Sequence, residues 1–565
     1  MKWAVAIILA LSFAVGFGGI GAFAQTVPSP EPTASAPPTP PILATPPPLT
    51  VAPASLDLNP QQLRTVTVSN ATGPIIATIQ PAIAQVTVDQ SSGIITLLAQ
   101  NQTGSATLHV VDSTGATADI PMKIAFNAGT PPASAVTIKL TGNTLDATYI
   151  AAQVKAALTR QTSLQPGAQL AVGAIPGVQL VPGASSAFAV PVQISGGDQY
   201  FDVNQAVNVN VQNTAVSAFA PPRLFYDDDP EKINGDGVLY RGTVQPNTPT
   251  RLYYYHQNGS DPRRLVVMLT TTSQDPSEVQ LIDSSAGPNI DVLTVGHAVT
   301  RNFLVMKPNN QGAIFDVPQS TPLVVQDVAM TDGQGAAGNI DLQVLMGGPI
   351  TVTVMAVASG VDPAVLVNAP QLPDDGHNRT GVFSIANYGQ LTLAYTVGGP
   401  DAQTVYADRE PSPPNVDPGA PGHDYGDYGV LHQIAFDMSN PSGQPATIYL
   451  YEKPIGGVVR SSFVVDGQLV EVGCARVQDH YQIGVPYQLA PGATQSSTVL
   501  TMTDGGSNYP LEVGVTTTPP QPTTPPISSP DGCFPKPQPA TQQTSPEPSQ
   551  TETPGPGPSN PPPQS

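Results

Sequence analysis

Tryptophan, cysteine and lysine are scarce in this sequence, and so is charge of either sign. Charged residues fill 11% of the 565 positions, against about 25% in an average soluble domain. Too little Glu, Lys and Leu is left to build the faces of coiled coils or helical bundles. Bases number 20 against 41 acids, so there is no basic stripe to displace counterions and a nucleic-acid partner is excluded. The one tryptophan is Trp3, which leaves any carbohydrate-binding face without the largest ring. No HExxH, CxxC, GxSxG, SxxK or Walker sequence occurs, so neither a local zinc site nor a nucleophile elbow is expected. Gly16, Gly18 and Gly21 spell GxGxxG, but they follow no strand and open no βαβ unit.

What the chain does contain is turn chemistry. It has 65 Pro and 51 Gly, a composition that suits short strands and many turns. Lys2, an apolar run over 3–20 and Ala22-Phe23-Ala24 read as a secretory signal at 1–24, with no transmembrane segment expected after cleavage. An exported chain meets a compartment that permits disulfides, and Cys474 and Cys533 are the two cysteines. A bridge between them would restrict the unfolded chain by about 4 kcal/mol on the loop-entropy view. Residues 25–50 and 517–565 are rich in Pro, Ser and Thr; they bury too little apolar surface to fold and read as disordered spacers.

Between the spacers the pattern is mostly period two. In 51–127, Leu56/Leu58, Val66/Val68, Val86/Val88, Ile95/Leu97 and Leu108/Val110 alternate, and Asp112-Ser113-Thr114-Gly115 turns the chain into Ala118-Asp119-Ile120. This stretch resembles the bacterial Ig-like domains of adhesins and other surface proteins. Gln61 stands where that family usually has a turn glycine, and its mid-domain Trp is missing. The resemblance covers under a fifth of the chain; it implies a β-sandwich spacer and no chemistry.

Residues 134–212 read as a small α+β domain. Ile150, Val154 and Leu158 mark a helix over 146–161, capped near Asn143, Thr144 or Asp146 and packed on strands near 168–172, 187–194 and 203–211. Residues 220–358 run through about ten short strands and read as a central β-sandwich, 359–380 as a connector, and 381–516 as a C-terminal β-sandwich. The run around His297 (VGHAVTRNFLV) is counted among those strands. Two hairpins are expected to echo each other, 266–269 into 279–281 through SQDP and 434–436 into 447–450 through NPSGQP. The fold class is therefore all-β: tandem Ig-like or β-sandwich domains with one small α+β domain, flanked by Pro-rich segments.

Candidate chemistry concentrates in 223–305. Asp227, Asp228, Asp229, Glu231 and Asp236 lie beside Asn234, Gly235 and Gly237. Ca²⁺ takes six to eight hard oxygens, which an acidic Gly-bearing loop can supply, although Pro230 breaks the EF-hand spacing. A second acidic Gly loop runs from His423 through Asp424 and Asp427 to Gly429. Each also reads as a solvated turn. His256, His297, His377, His423 and His432 have no local ligand spacing. Alternation places Tyr253 and Tyr255 on one face of a strand, with Tyr254 and His256 on the other. Tyr253/Tyr255 or Tyr425/Tyr428 are the rings left to stand in for tryptophan against a glycan.

The leading expectation is an exported, non-enzymatic, extracellular or envelope-associated protein acting as scaffold, spacer or adhesive module, with an envelope polymer or protein as partner. The alternative is a secreted carbohydrate-active or other hydrolytic enzyme with catalytic carboxylates in 220–358 and Ig-like accessory domains.

Overall fold

The computed structural model describes residues 47–319, 321–408, 412–416 and 422–523. The expected signal segment, most of both Pro-rich spacers and Cys533 lie outside the described residues. The protein is all-β, with two α-helices among the described residues. No helix among them is long and apolar enough to cross a membrane. The chain divides into two compact units, Met1–Ala125 and Phe126–Ser565.

The first unit is a sandwich of two four-stranded sheets. One runs Thr50–Ala52, Leu63–Ser69, Ile94–Ala99, Ala84–Asp89; the other runs Leu56–Leu58, Thr117–Ile124, Gly104–Val111, Ile76–Gln80. Period-two alternation turns Val66, Val68, Ile95, Leu97, Leu108, Val110, Ile120 and Met122 inward, and all are buried. Each such side chain contributes roughly 1.5–3 kcal/mol relative to an exposed one. The Asp112 turn is held by its carboxylate, which accepts from the amides of Thr72 (2.9 Å), Thr114 (2.9 Å) and Ala116 (3.1 Å). Hydrogen bonds to the charged form, the Thr72 amide foremost, hold its pKa down at about 2. Gln61 adopts φ +63°, the left-handed conformation that a glycine takes without strain.

In the second unit one eleven-stranded sheet joins the 134–212 and 220–358 segments. Its order is Gln169–Val172, Ser185–Ser195, Val203–Asn213, Ala135–Thr141, Gly312–Val317, Ser277–Asn289, Gly335–Met346, Thr250–Asn258, Arg223–Asp227, Thr380–Ser384, with Lys232–Ile233 also beside Thr250–Asn258. The junction is antiparallel pairing of Lys139, Leu140 and Thr141 with Ile314, Ala313 and Gly312. Helix α1 (Ala147–Arg160) begins at Asp146, whose carboxylate accepts from the Tyr149 amide at 2.8 Å. Its stripe of Ile150, Val154 and Leu158 is fully buried against Val190, Val192, Val207 and Val209.

Over the middle of the large sheet lies a four-stranded sheet, Gly237–Val244, Ile350–Ala358, Arg263–Thr271, Leu323–Met330. Leu239, Leu265, Val267 and Val354 from it meet Leu252, Tyr254, Leu281 and Ile340 from the large sheet. A further sandwich follows. Five strands run Gln390–Thr396, His432–Ser439, Thr494–Thr501, Val459–Val465, Gln468–Ala475, and four run Ala402–Tyr406, Leu511–Thr516, Ala446–Pro454, Tyr481–Leu489. Phe436, Ile448, Phe463 and Val513 sit at its centre.

Three sequence expectations are corrected. The run around His297 is not a strand but helix α2 (Val292–Met306), capped by Asp291, which accepts from the Leu293 amide at 3.1 Å. Val295 and Val299 pack on Tyr226, Tyr253 and Tyr255 of the large sheet, while Phe303 and Leu304 meet Val464 and Met502 of the following sandwich. The sheet and the sandwich leave only a narrow outer stripe at Thr294, Ala298, Arg301, Asn302 and Val305, and its apolar members Ala298 and Val305 blur the period. The two expected hairpins are not hairpins. Arg263–Thr271 and Ser277–Asn289 belong to different sheets, as do His432–Ser439 and Ala446–Pro454. SQDP and NPSGQP carry the chain from one layer to the other.

Candidate functional site

The acidic loop follows strand Arg223–Asp227, which lies between Thr250–Asn258 and Thr380–Ser384. Its five acids go to separate partners. Asp227 is fully buried, 3.1 Å from His256 Nε2, whose Nδ1 lies 3.0 Å from the Pro230 carbonyl. Burial pushes the Asp227 carboxyl up, with His256 pulling the other way. Asp229 accepts from the Asp375 amide at 2.6 Å, and Asp236 pairs with Arg263 at 2.9 Å. Only Asp228 and Glu231 share a partner, Arg379, at 3.5 and 3.0 Å from its Nη1. Among the described residues no three His, Cys, Asp or Glu side chains are grouped to hold a metal ion. The side chains of Asp227, Asp228, Asp229, Glu231 and Asp236, the expected Ca²⁺ ligands, are thus engaged with His256, Arg379, the Asp375 amide and Arg263.

The second acidic loop is equally committed. Asp424, fully buried, accepts from the Tyr428 amide at 2.9 Å, and burial together with neighbouring Asp427 pushes its pKa far up. Asp427 accepts from Tyr388 Oη and the Ala407 amide, both at 3.2 Å, and lies 3.4 Å from His432 Nε2. His377 pairs with Asp375 at 2.7 Å, and His423 stacks on Tyr425 with centroids 4.8 Å apart. The histidines do not gather.

His297 stands close to a serine and an aspartate, yet the arrangement does not activate a nucleophile. Its Nδ1 is 2.8 Å from Asp504 and 3.4 Å from Ser462 Oγ, and its Nε2 is 3.0 Å from Glu471. A relay needs serine and acid on opposite ring nitrogens. Here both nitrogens face carboxylates, and Ser462 is fully buried.

What the fold does bring together is the set of tyrosines. A cavity of about 450 Å³ is lined by Tyr253 and Tyr255 from strand Thr250–Asn258, Tyr425 and Tyr428 from the second acidic loop, and Tyr509. Asp228, Glu231 and Arg379 line it as well, and Gly506–Pro510 closes one side. Alternation along Thr250–Asn258 sets Tyr253 and Tyr255 on one face while Tyr254 enters the core between the two sheets. Tyr428, Tyr226 and Tyr253 cluster mutually, with centroids 6.5 Å apart for Tyr226 and Tyr428 (nearly parallel) and 5.7 Å for each of the other two pairs. Gly505 admits this packing, since a Cβ there would meet Tyr253 Oη at 3.0 Å and Tyr255 Cδ2 at 3.1 Å.

The electrostatics of the cavity are lopsided. Arg379 also pairs with Asp375 at 3.1 Å, so three carboxylates surround one guanidinium. Asp228 is 6% exposed, and burial pushes its pKa up to about 8 despite the opposing pull of Arg379. Its Oδ1 has no hydrogen-bond partner. Sequence reasoning reached the two tyrosine pairs and Asp228 and Glu231 separately, but missed Arg379, Asp375 and Tyr509. The available signal was DDGHNRT at 374–380, a dense charge cluster in a chain that is 11% charged. Cys474 is buried on the five-stranded sheet, near Leu293 of α2. Its expected partner Cys533 lies outside the described residues.

No protein-family model and no curated sequence matches the chain. Among solved structures it is similar to Drosophila N-cadherin EC1-4 at 15% identity and TM-score 0.12, over 30% of this chain and 50% of that one. It is also similar to a Bacteroides ovatus mixed-linkage glucan utilization locus protein, SGBP-B, in complex with mixed-linkage heptasaccharide. That match has 10% identity and TM-score 0.14, over 56% of this chain and 77% of the other. The human desmocollin-1 ectodomain matches at 8% identity and TM-score 0.12, over 55% and 58%. The chain thus spans half the length of the N-cadherin structure. At such TM-scores the likenesses carry no argument.

Proposed function

We propose that this chain is an exported, envelope-associated binding protein built of β-sandwiches, and that the tyrosine-walled cavity is its ligand site. The observation that supports the reading is the convergence of Tyr253, Tyr255, Tyr425, Tyr428 and Tyr509 with Asp228, Glu231 and Arg379 in one cavity. These residues come from five separated stretches of the chain. Concave sites that combine aromatic walls with a few placed polar groups are the usual form of a ligand pocket. The Pro-rich segments at both ends suit a protein held away from a surface. Retention of isolated envelope material by the purified protein tests the reading, with Tyr255→Ala and Tyr425→Ala as site variants. Retention that falls in both variants supports it; retention indifferent to both assigns binding elsewhere.

One observation favours a second reading, that of a glycoside hydrolase. Asp228, with its pKa raised to about 8, lies beside ion-paired Glu231 in the same cavity, the asymmetry that suits a general acid and its partner. Release of reducing ends from envelope glycan, abolished in Asp228→Asn, is the result it requires.

A further inference from the structure

Resting on that binding reading, we propose that the cavity takes an organic cation, an ammonium group seated among Tyr253, Tyr255 and Tyr428 and against Asp228 and Glu231. Asp228, Glu231 and Asp375 meet the single guanidinium of Arg379, a surplus of one negative charge while Asp228 holds its proton and of two once it ionises. Asp228 lines the cavity and is 6% exposed; its Oδ2 lies 3.5 Å from Arg379 and 3.4 Å from Tyr226 Oη, while its Oδ1 is buried without a hydrogen-bond partner, so the carboxyl is incompletely satisfied. Aromatic ring faces carry negative electrostatic potential and attract diffuse organic cations.

The other ligand classes fit less well. A metal ion needs several ligands converging on one point, and no three His, Cys, Asp or Glu side chains do so among the described residues. An anion would meet an Arg379 already ringed by carboxylates. A neutral ligand would strip water from those carboxylates and return no charge. The whole-chain charge of −21 draws cations toward the surface.

The unbound state supports the assignment. Burial leaves Asp228 protonated at pH 7, with Arg379 and His256 pulling its pKa down and Glu231 and Asp227 pushing it up. Tyr226, Tyr253, Tyr428 and Asp424 also face this region. An arriving ammonium would favour the ionised carboxylate, so binding at pH 7 releases a proton.

The experiment is calorimetric titration of the full chain with three probes: a glucosamine hexamer, its N-acetylated counterpart and spermidine. The first two share a backbone and differ in charge. The hexamer is expected to bind at least about tenfold more tightly than the N-acetylated form. Its affinity should fall with salt, and the heat should vary with buffer in the sense of proton release. Asp228→Asn should weaken it by about tenfold or more. Glu231→Gln, at a more exposed position, makes the same test if Asp228→Asn does not fold. Spermidine binding as tightly as the hexamer assigns the site to free polyamines, and weaker binding assigns it to an amino-sugar polymer; both support the cation. Equal or tighter binding of the N-acetylated hexamer overturns the cation while leaving the binding reading intact. Absence of amine binding with envelope material still retained does the same. Failure of both overturns both.

Discussion

Replacing Gly296 by alanine sets two opposing effects against each other. In an isolated helix the change stabilises by about 0.8–1 kcal/mol, because glycine has more backbone freedom to lose. In this protein Gly296 lies where α2 meets the loop 503–510. A Cβ there would stand 2.0 Å from the Gly505 carbonyl oxygen and 2.4 Å from its nitrogen, both main-chain atoms. No rotamer change relieves a backbone clash, so helix and loop must separate by more than an ångström. Overpacking of this kind costs about 1–3 kcal/mol. The separation also strains the Thr300 hydroxyl bond to the Thr503 carbonyl (3.3 Å) and the His297–Asp504 contact (2.8 Å), and each such bond contributes about 1 kcal/mol. The clash therefore outweighs the helix gain, for a net loss of about 2–4 kcal/mol. Urea unfolding followed by near-ultraviolet circular dichroism of the tyrosines reads the loss as a lower first midpoint. A chain of several cores has no single unfolding free energy, so the midpoint is the quantity to compare. The same loop carries Ser507 and Tyr509 to the cavity wall, so probe binding should weaken in parallel. A midpoint equal to or above that of the parent would refute the close packing of α2 on Gly505.

Further outcomes follow from buried charge. Arg251, 2% exposed, is 2.6 Å from Asp341, which Lys307 also meets at 2.7 Å; Arg251→Met should cost about 3–5 kcal/mol in urea unfolding by leaving that network short of a cation. Burial pushes the pKa of Glu452 up to about 8, Ser461 opposing, so the folded state keeps a proton that the unfolded chain gives up near 4.5. Its stabilising contribution is complete below 4.5 and is lost as pH rises through about 8. The melting temperature of Glu452→Gln should accordingly fall less than that of the parent between pH 5 and 9, and parallel curves would contradict the assignment.

Legibility in the sequence followed the range of the interaction. Strands in 56–124 were readable because one face of each is buried and the other wet, which prints a period of two. Helix α1 was readable because Ile150, Val154 and Leu158 form one stripe. Helix α2 was not, since the large sheet and the following sandwich bury it on two sides. The layer crossings were misread because SQDP and NPSGQP bend the chain equally well within a sheet or between sheets. Acid density at 227–236 pointed to a cation, but partners remote in sequence decide what each acid does. His256 takes Asp227, Arg379 takes Asp228 and Glu231, Asp375 takes Asp229, and Arg263 takes Asp236. Alternation could place Tyr253 and Tyr255 on one face. It could not show that Tyr425, Tyr428 and Tyr509 would face them.

The wall formed by Gly506–Pro510 has a consequence in time. A ribosome makes the chain from its N-terminus, so Asp228 and the tyrosine triplet emerge long before Tyr509. Until Gly506–Pro510 is made, the cavity lacks one of its walls. A fragment ending before residue 505 lacks that wall and should lose the binding proposed above.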